Sequence, residues 1–296
     1  MMKKVLKIMS VLLAVAVVAV SFAACSDSTD DASNTNGGAD TQAVKVIDIN
    51  LSDEEYAFGV DKNQPELMEE ANALIAEIKA DGTLDEICNR YFGGGTPVGV
   101  TSAALDTSKD QLVVATNAEF EPFEYKSGDT FYGIDMEIAQ LLADRLGKEL
   151  VIQDMNFDAV VLSVQQQQCD IAMAGLTVSE ERAQQVDFTE SYYEASQKLI
   201  VRGDDTTFDA CTDKASVDAI LNGLDSSVKI GGQNGTTGQS YVQGSEDLGF
   251  AGLQAQFVGY QSGSLAVNDL INGNVDYVII DAAPAEAIVS SINAVN

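Results

Sequence analysis

The stretch IDMEIAQLLADRLGKELVIQDM, Ile134 to Met155, changes its hydrophobic period midway, and that change decides the fold. Ile134, Ile138, Leu141, Leu142 and Leu146 recur at helical spacing, Gly147 is a helix stop, and ELVIQDM then reads as a strand. Working outward, QLVVAT (111–116) is a strand ahead of it. Helix FDAVVLSVQQQ, strand CDIAMAG and a helix containing Arg182 follow. The remainder repeats the order: strand VKIGG, helix GQSYVQG, strand QAQFVGY, helix SLAVNDLING, strand VDYVIID, helix PAEAIVSSIN. Such alternation predicts an α/β protein of two lobes, each a parallel sheet covered by helices.

Upstream, PELMEEANALIAEIKADG places Leu67, Ala71, Leu74, Ile75 and Ile78 on one helical face, and LDEICNRYF forms a second, shorter helix. Gly93 to Asp110 reads as a connector, and Ser26 to Gln42, without a large apolar residue, as a flexible stalk. Residues 1–25 have the layout of an export signal: Lys3, Lys4 and Lys7, an apolar core, then small residues ending at Cys25. The alternative there is an uncleaved membrane anchor. The expected divisions are signal 1–25, stalk 26–43, a strand 44–53 returning to the second lobe, first lobe 54–201 with connector 93–110, and second lobe 202–296.

Of 296 residues, 46% are hydrophobic, enough for packed cores, while 46 acids against 16 bases give a net charge of −30. That charge argues against nucleic acid as a partner, since such binding depends on basic patches. There is no histidine, which removes Ser-His and Cys-His nucleophile pairs and histidine metal sites. Cys88, Cys169 and Cys211 lack metal-ligand spacing; one disulfide among them is open and its pairing unassignable. No metal or cofactor is expected.

In open α/β sheets ligands bind beyond the carboxyl ends of strands, and Ala174-Gly175, Gly232 and Asp281 fall at such ends. In AGLTVSEER (174–182) small residues and a hydroxyl lead into a helix start, an arrangement suited to an oxyanion, with Arg182 able to make a two-pronged bond to a carboxylate. A lone helical arginine is usually solvated. GGQNGTTGQSY misses the dinucleotide and Walker spacings, but presents the Thr236 and Thr237 hydroxyls at a second helix start. Asp281 closes an apolar run with no Lys or Arg nearby in sequence, so a ligand ammonium would offset its burial. Phe120 and Phe157 follow strands and can wall a pocket, although aromatics are more often plain core. Together these residues make a receptor for an α-amino acid.

FEPFEY, GIDMEIAQLLADRLG, NFDAVVLSVQQQQCDIAMAGLTVSEERAQQVDFTESYY and DYVIIDAAPAEAIV resemble the amino-acid-binding extracytoplasmic solute-binding proteins, family 3 type, that feed ABC importers. The resemblance implies a two-lobed, hinged periplasmic-binding-protein-like fold of type II. It implies that Phe120 and Phe157 flank the ligand, that Ala174 contributes its carbonyl, that Gly175 and Thr177 bond the ligand, and that Arg182 grips its carboxylate. Thr236 and Thr237 would reach it from the other lobe, and Asp281 would hold its ammonium. Asn117 and Gln233 stand where family members tune specificity; there is neither the acid at 117 expected for cationic ligands nor a lysine at 233. The ending FAAC resembles a lipoprotein signal with Cys25 lipidated, although Phe22 replaces the usual leucine. The expected partners are a free amino acid, a permease with its ATPase, and the bacterial cell membrane through the anchor.

INLSDEEYAFGVDKNQPELMEEANALIAEIKADGTLDEICNRYFGGG (49–95) resembles the closing segment of such receptors, yet it precedes everything else. Circular permutation explains this, with VKVIDINL returning as a strand beside the lobe of Asp281 and Val44 close to Asn296. The alternative is a swapped dimer; the expectation is a monomer. Competing functions are a dehydratase-like enzyme recruiting Glu119, Glu121 or Glu124, and a sensory domain. A freestanding, non-enzymatic receptor is the reading favoured.

Overall fold

The computed structural model describes residues 42–295. The signal segment, Cys25, nearly all of the stalk, and Asn296 lie outside them. In chain order the elements are β1 (Val44–Ile47), β2 (Glu54–Tyr56), β3 (Gly59–Val60), α1 (Pro65–Asp81), α2 (Thr83–Phe92), β4 (Gln111–Thr116), β5 (Glu119–Phe120), β6 (Glu124–Ser127), β7 (Thr130–Tyr132) and α3 (Ile134–Leu146). Next come β8 (Glu149–Asp154), α4 (Phe157–Gln165), β9 (Ile171–Ala172), α5 (Glu180–Ala183), β10 (Asp187–Phe188), β11 (Tyr193–Ala195) and β12 (Gln197–Arg202). The last are α6 (Lys214–Leu221), β13 (Lys229–Gln233), α7 (Thr237–Gln243), β14 (Gln256–Tyr260), α8 (Gly263–Ile271), β15 (Tyr277–Asp281) and α9 (Ala282–Val295).

Two five-stranded sheets form the two lobes. The first runs β10-β3-β9-β4-β8, the second β1-β12-β15-β13-β14. The parallel strands are those joined by helices: β9, β4 and β8 in one lobe, β15, β13 and β14 in the other. The sheets are mixed rather than wholly parallel as expected, because β3 and β10 in the first and β12 and β1 in the second pair antiparallel. The four exceptions lie in the segments that carry the chain between lobes, which enter each sheet without the crossover helix a parallel neighbour requires. The second sheet takes in β12, so its share of the chain opens before residue 202.

Along β12, Leu199 and Val201 enter one apolar cluster with Phe208, Val217 and Ile230, while Ile200 enters another with Ala266, Leu270 and Val278. This period of two reflects a strand covered on both faces. The five apolar residues of α1 are buried, and the helix stops at Gly82 with φ 87°, a left-handed conformation that glycine adopts without steric cost. Helices α1 and α2 pack on α3. Tyr91 Oη donates to Glu137 Oε1 at 2.7 Å and accepts from Gly133 N at 2.9 Å, and Arg90 Nη2 lies 2.7 Å from Glu137 Oε2.

The early segment therefore serves both lobes. Strand β1 pairs with β12 from Val44↔Arg202 to Ile47↔Leu199, and β2 pairs with β11 as a separate two-stranded ribbon at the passage between lobes. Asn293 of α9 bonds both flanks of the start of β1: Ala43 N donates to its Oδ1 at 3.0 Å, and its Nδ2 donates to Val44 O at 2.9 Å. Cys88, Cys169 and Cys211 are free thiols, and burial pushes Cys88 up to about 11.

Candidate functional site

The first lobe's wall is set by the turn after β9. Gly175 has φ +51°, and a Cβ there would lie 2.7 Å from Phe120 Cε1, so only glycine lets the aromatic ring close against the backbone. Its N–H donates to Asp135 Oδ2 at 2.9 Å, and Tyr192 Oη donates to Asp135 Oδ1 at 2.6 Å. That amide thus donates to a buried acid. Burial raises Asp135 to about 7, against the opposing pull of those two hydrogen bonds. Ala174 is fully buried in a small apolar cluster.

Arg182 sits on α5, a single turn, with Ser179 Oγ accepting from Arg182 N. Glu180 N and Glu181 N donate to the two carboxylate oxygens of Asp247, each at 2.9 Å, across the cleft. The guanidinium reaches over Phe157, 5.4 Å from the ring centre. Its Nη1 donates to Thr177 O at 2.6 Å and its Nη2 to Gly235 O of the second lobe at 3.0 Å. Burial lowers its proton affinity, partly countered by Asp281 and then Glu54.

From the second lobe, Asp281 ends β15 buried, and its neighbour is a phenol rather than a cation. Tyr56 Oη donates to Asp281 Oδ1 at 2.5 Å. Burial, and next the charge of Glu54, raise Asp281 to about 7. Glu54 is itself held by Ser52 Oγ (2.6 Å), Thr177 Oγ1 (2.8 Å) and Gln197 Nε2 (3.0 Å). Thr237 Oγ1 donates to Thr177 Oγ1 at 3.2 Å, joining the lobes, while Thr236 turns its hydroxyl back to Gln233 O at 2.8 Å. Ser52, Glu54, Tyr56 and Gln197 were not singled out from sequence; SDEEY, a polar run against the apolar AFGV, was the one local sign.

The remaining wall joins the lobes through amides. Gln233 Nε2 donates to Asn117 Oδ1 at 2.7 Å and to Gln261 O at 3.0 Å, and Asn117 Nδ2 donates to Met155 O at 2.8 Å. Those donations fix each amide's orientation and leave Gln233 Oε1 pointing at no donor; Gln197 Oε1 and both oxygens of Glu124 share that condition. Glu124 is fully buried and raised well above the usual carboxylate range by burial, then by Asp135 and Asp281. Buried acceptors are normally paired, so two amide oxygens between the lobes are left without a donor, while Glu124, raised this far, carries its own proton. An open pocket of about 730 Å³ beside it is lined by Asp53, Glu54, Glu55, Thr177 and Glu194, and one of about 200 Å³ by Phe157, Arg182, Gly235 and Thr237. Among the described residues, no group of acids and cysteines is placed to hold a metal ion.

Similar proteins share this architecture. The chain is 36% identical over 109 residues to the arginine-binding extracellular protein ArtP of Bacillus subtilis (strain 168), covering 37% of this chain and 43% of that protein. It is 29% identical over 178 residues to ABC transporter arginine-binding protein 1 of Escherichia coli (strain K12), covering 60% of this chain and 65% of that one. The chain thus spans less than two thirds of the length of either relative. The structure of truncated, arginine-bound ArgBP from T. maritima superposes with a TM-score of 0.51 at 31% identity, over 61% of this chain and 78% of that one. The sequence profile of the bacterial extracellular solute-binding proteins, family 3, matches residues 112–272. More than half of the chain lies inside that match, and the chain belongs to this family.

Proposed function

We propose that the protein captures a free amino acid with a cationic side chain, arginine foremost, between its lobes and hands it to the permease of an ABC importer. The observation that carries this reading is the set of buried acids and unpartnered amide oxygens gathered between the lobes, beside an Arg182 guanidinium that already bonds backbone carbonyls of both. Arg182 takes the α-carboxylate, as charge-assisted bidentate pairing favours. Asp281, with Glu54 behind it, takes the α-ammonium. The unpartnered oxygen of Gln233, beside Asn117, meets side-chain donors, and Phe120 and Phe157 flank the aliphatic stem. Acids at the pocket mouth raise the local concentration of a cation. Closure follows because one ligand engages groups of both lobes only when they are together. No bond is made or broken.

The ending FAAC supports a lipid on Cys25, which tethers the receptor outside the cell. On this reading the chain is a circular permutant working as a monomer, which is supported by the pairing of β1, β2 and β3 with strands of the later chain and by Asn293 sitting against Val44. A thermal-shift screen against the twenty amino acids tests the ligand reading. Ligands that bind only the folded form raise its melting point; arginine should give the largest rise, lysine a smaller one, and aspartate none. No rise with any amino acid would overturn the reading.

A further inference from the structure

We infer that Asp247 is a latch: carried on the turn between α7 and β14, its carboxylate clasps residues 179–182 of the opposite lobe and holds the cleft shut without touching the ligand. The inference rests on the ligand-capture reading for its purpose, and on the geometry for its existence. Oδ1 accepts from Glu180 N and Oδ2 from Glu181 N, each at 2.9 Å. The Ser179 hydroxyl and the charge of Arg182 add to these in holding the carboxyl below its ordinary range.

The turn presenting Asp247 is built to hold it out. Ser245 and Phe250 exchange backbone bonds of 2.9 and 2.8 Å, Leu248 N donates to Ser245 Oγ at 3.2 Å, and the Phe250 ring packs 5.1 Å from Tyr241. On the clasped side, the same short segment carries Arg182, whose Nη2 makes its own cross-lobe bond to Gly235 O. Holding residues 179–182 therefore also fixes the guanidinium that meets the ligand carboxylate. Asp247 is exposed at the rim, so it is a positioning residue that forms its bonds after the lobes meet. Contacts of that kind act on escape rather than on encounter.

The test is stopped-flow kinetics of L-arginine with the full chain, comparing Asp247→Ala, Asp247→Asn and Glu246→Ala. Because each lost bond is charge-assisted, Asp247→Ala should raise koff about tenfold and leave kon within about twofold, with Asp247→Asn between it and the unaltered protein. Glu246→Ala, which removes the adjacent exposed charge, should change neither rate. Unchanged koff in Asp247→Ala, or an equal effect of Glu246→Ala, overturns the latch. Small-angle scattering of the same proteins without ligand keeps the two readings apart: Asp247→Ala should show a larger radius of gyration than the unaltered protein, and an identical one overturns the latch whatever the ligand is. Failure of the unaltered protein to bind arginine would instead overturn the ligand reading, with scattering still deciding the latch.

Discussion

At the scale of single residues, the site is governed by acids kept from water. Asp281 and Asp135 are each raised to about 7 from an ordinary 3.8, foremost by burial. The folded protein holds these protons more tightly than the unfolded chain. Their contribution to stability is therefore fully present below about pH 4 and is lost as pH rises through about 7. Binding runs the other way, because a cationic ligand prefers the ionised form of Asp281. The urea midpoint of the ligand-free protein should fall between about pH 4 and 7, while calorimetric affinity for arginine should rise over about pH 6 to 8. Affinity independent of pH would contradict the assignment of the ammonium to Asp281.

Among elements, the two-residue strand β9 and the turn after it show how little sequence builds a site wall. Gly175→Ala would place a Cβ at φ +51° and 2.7 Å from the Phe120 ring, so a loss of about 1–3 kcal/mol in denaturant stability is expected, with weaker ligand binding. The long, regular elements were legible: α3 over Ile134–Leu146 begins and ends where the change of period places it, and β8 over Glu149–Asp154 stops one residue short of the strand read through Met155. The hinge ribbon was not. Its pairing of Tyr56 with Tyr193 joins residues more than a hundred positions apart, and a three-residue strand has too few side chains to show a period. For the same reason Tyr56 and Glu54 escaped notice: the contacts of Tyr56 with Asp281 and of Glu54 with Gln197 leave no local pattern. Asp281 and Gln233 stand out in the sequence because each closes a recognisable strand. The partners of the Gly175 N–H and of the Glu180 and Glu181 amides, Asp135 and Asp247, lie distant in the chain and leave no sign in the local sequence.

Viewed as a whole molecule, the order of segments matters less than where they dock. The segment before the connector supplies an edge strand to the second sheet, half of the hinge ribbon, and two helices on α3. Lys198 Nζ ties β12 to Asp48 (2.7 Å), just past β1, and to Glu286 of α9 (2.8 Å), so the first strand and the last helix of the described residues are held to the same strand. Joining residue 295 to residue 42 through a short glycine-rich linker and opening the chain within 94–98 should yield a protein that melts cooperatively and binds the same ligand. An unfolded or obligately dimeric product would count against the permutation. Tolerance is expected because the ends are near and the new cut falls in exposed backbone.

The central claim is that one zwitterion is held at both ends by groups from two lobes. Calorimetric titration with L-arginine, with agmatine, which lacks the carboxylate, and with N-acetyl-L-arginine, which lacks the α-ammonium, addresses it directly. The account expects saturable one-to-one binding of arginine and a loss of about a hundredfold or more for each analogue, since each strands one buried charged group. Agmatine or N-acetyl-L-arginine binding as tightly as arginine would contradict it.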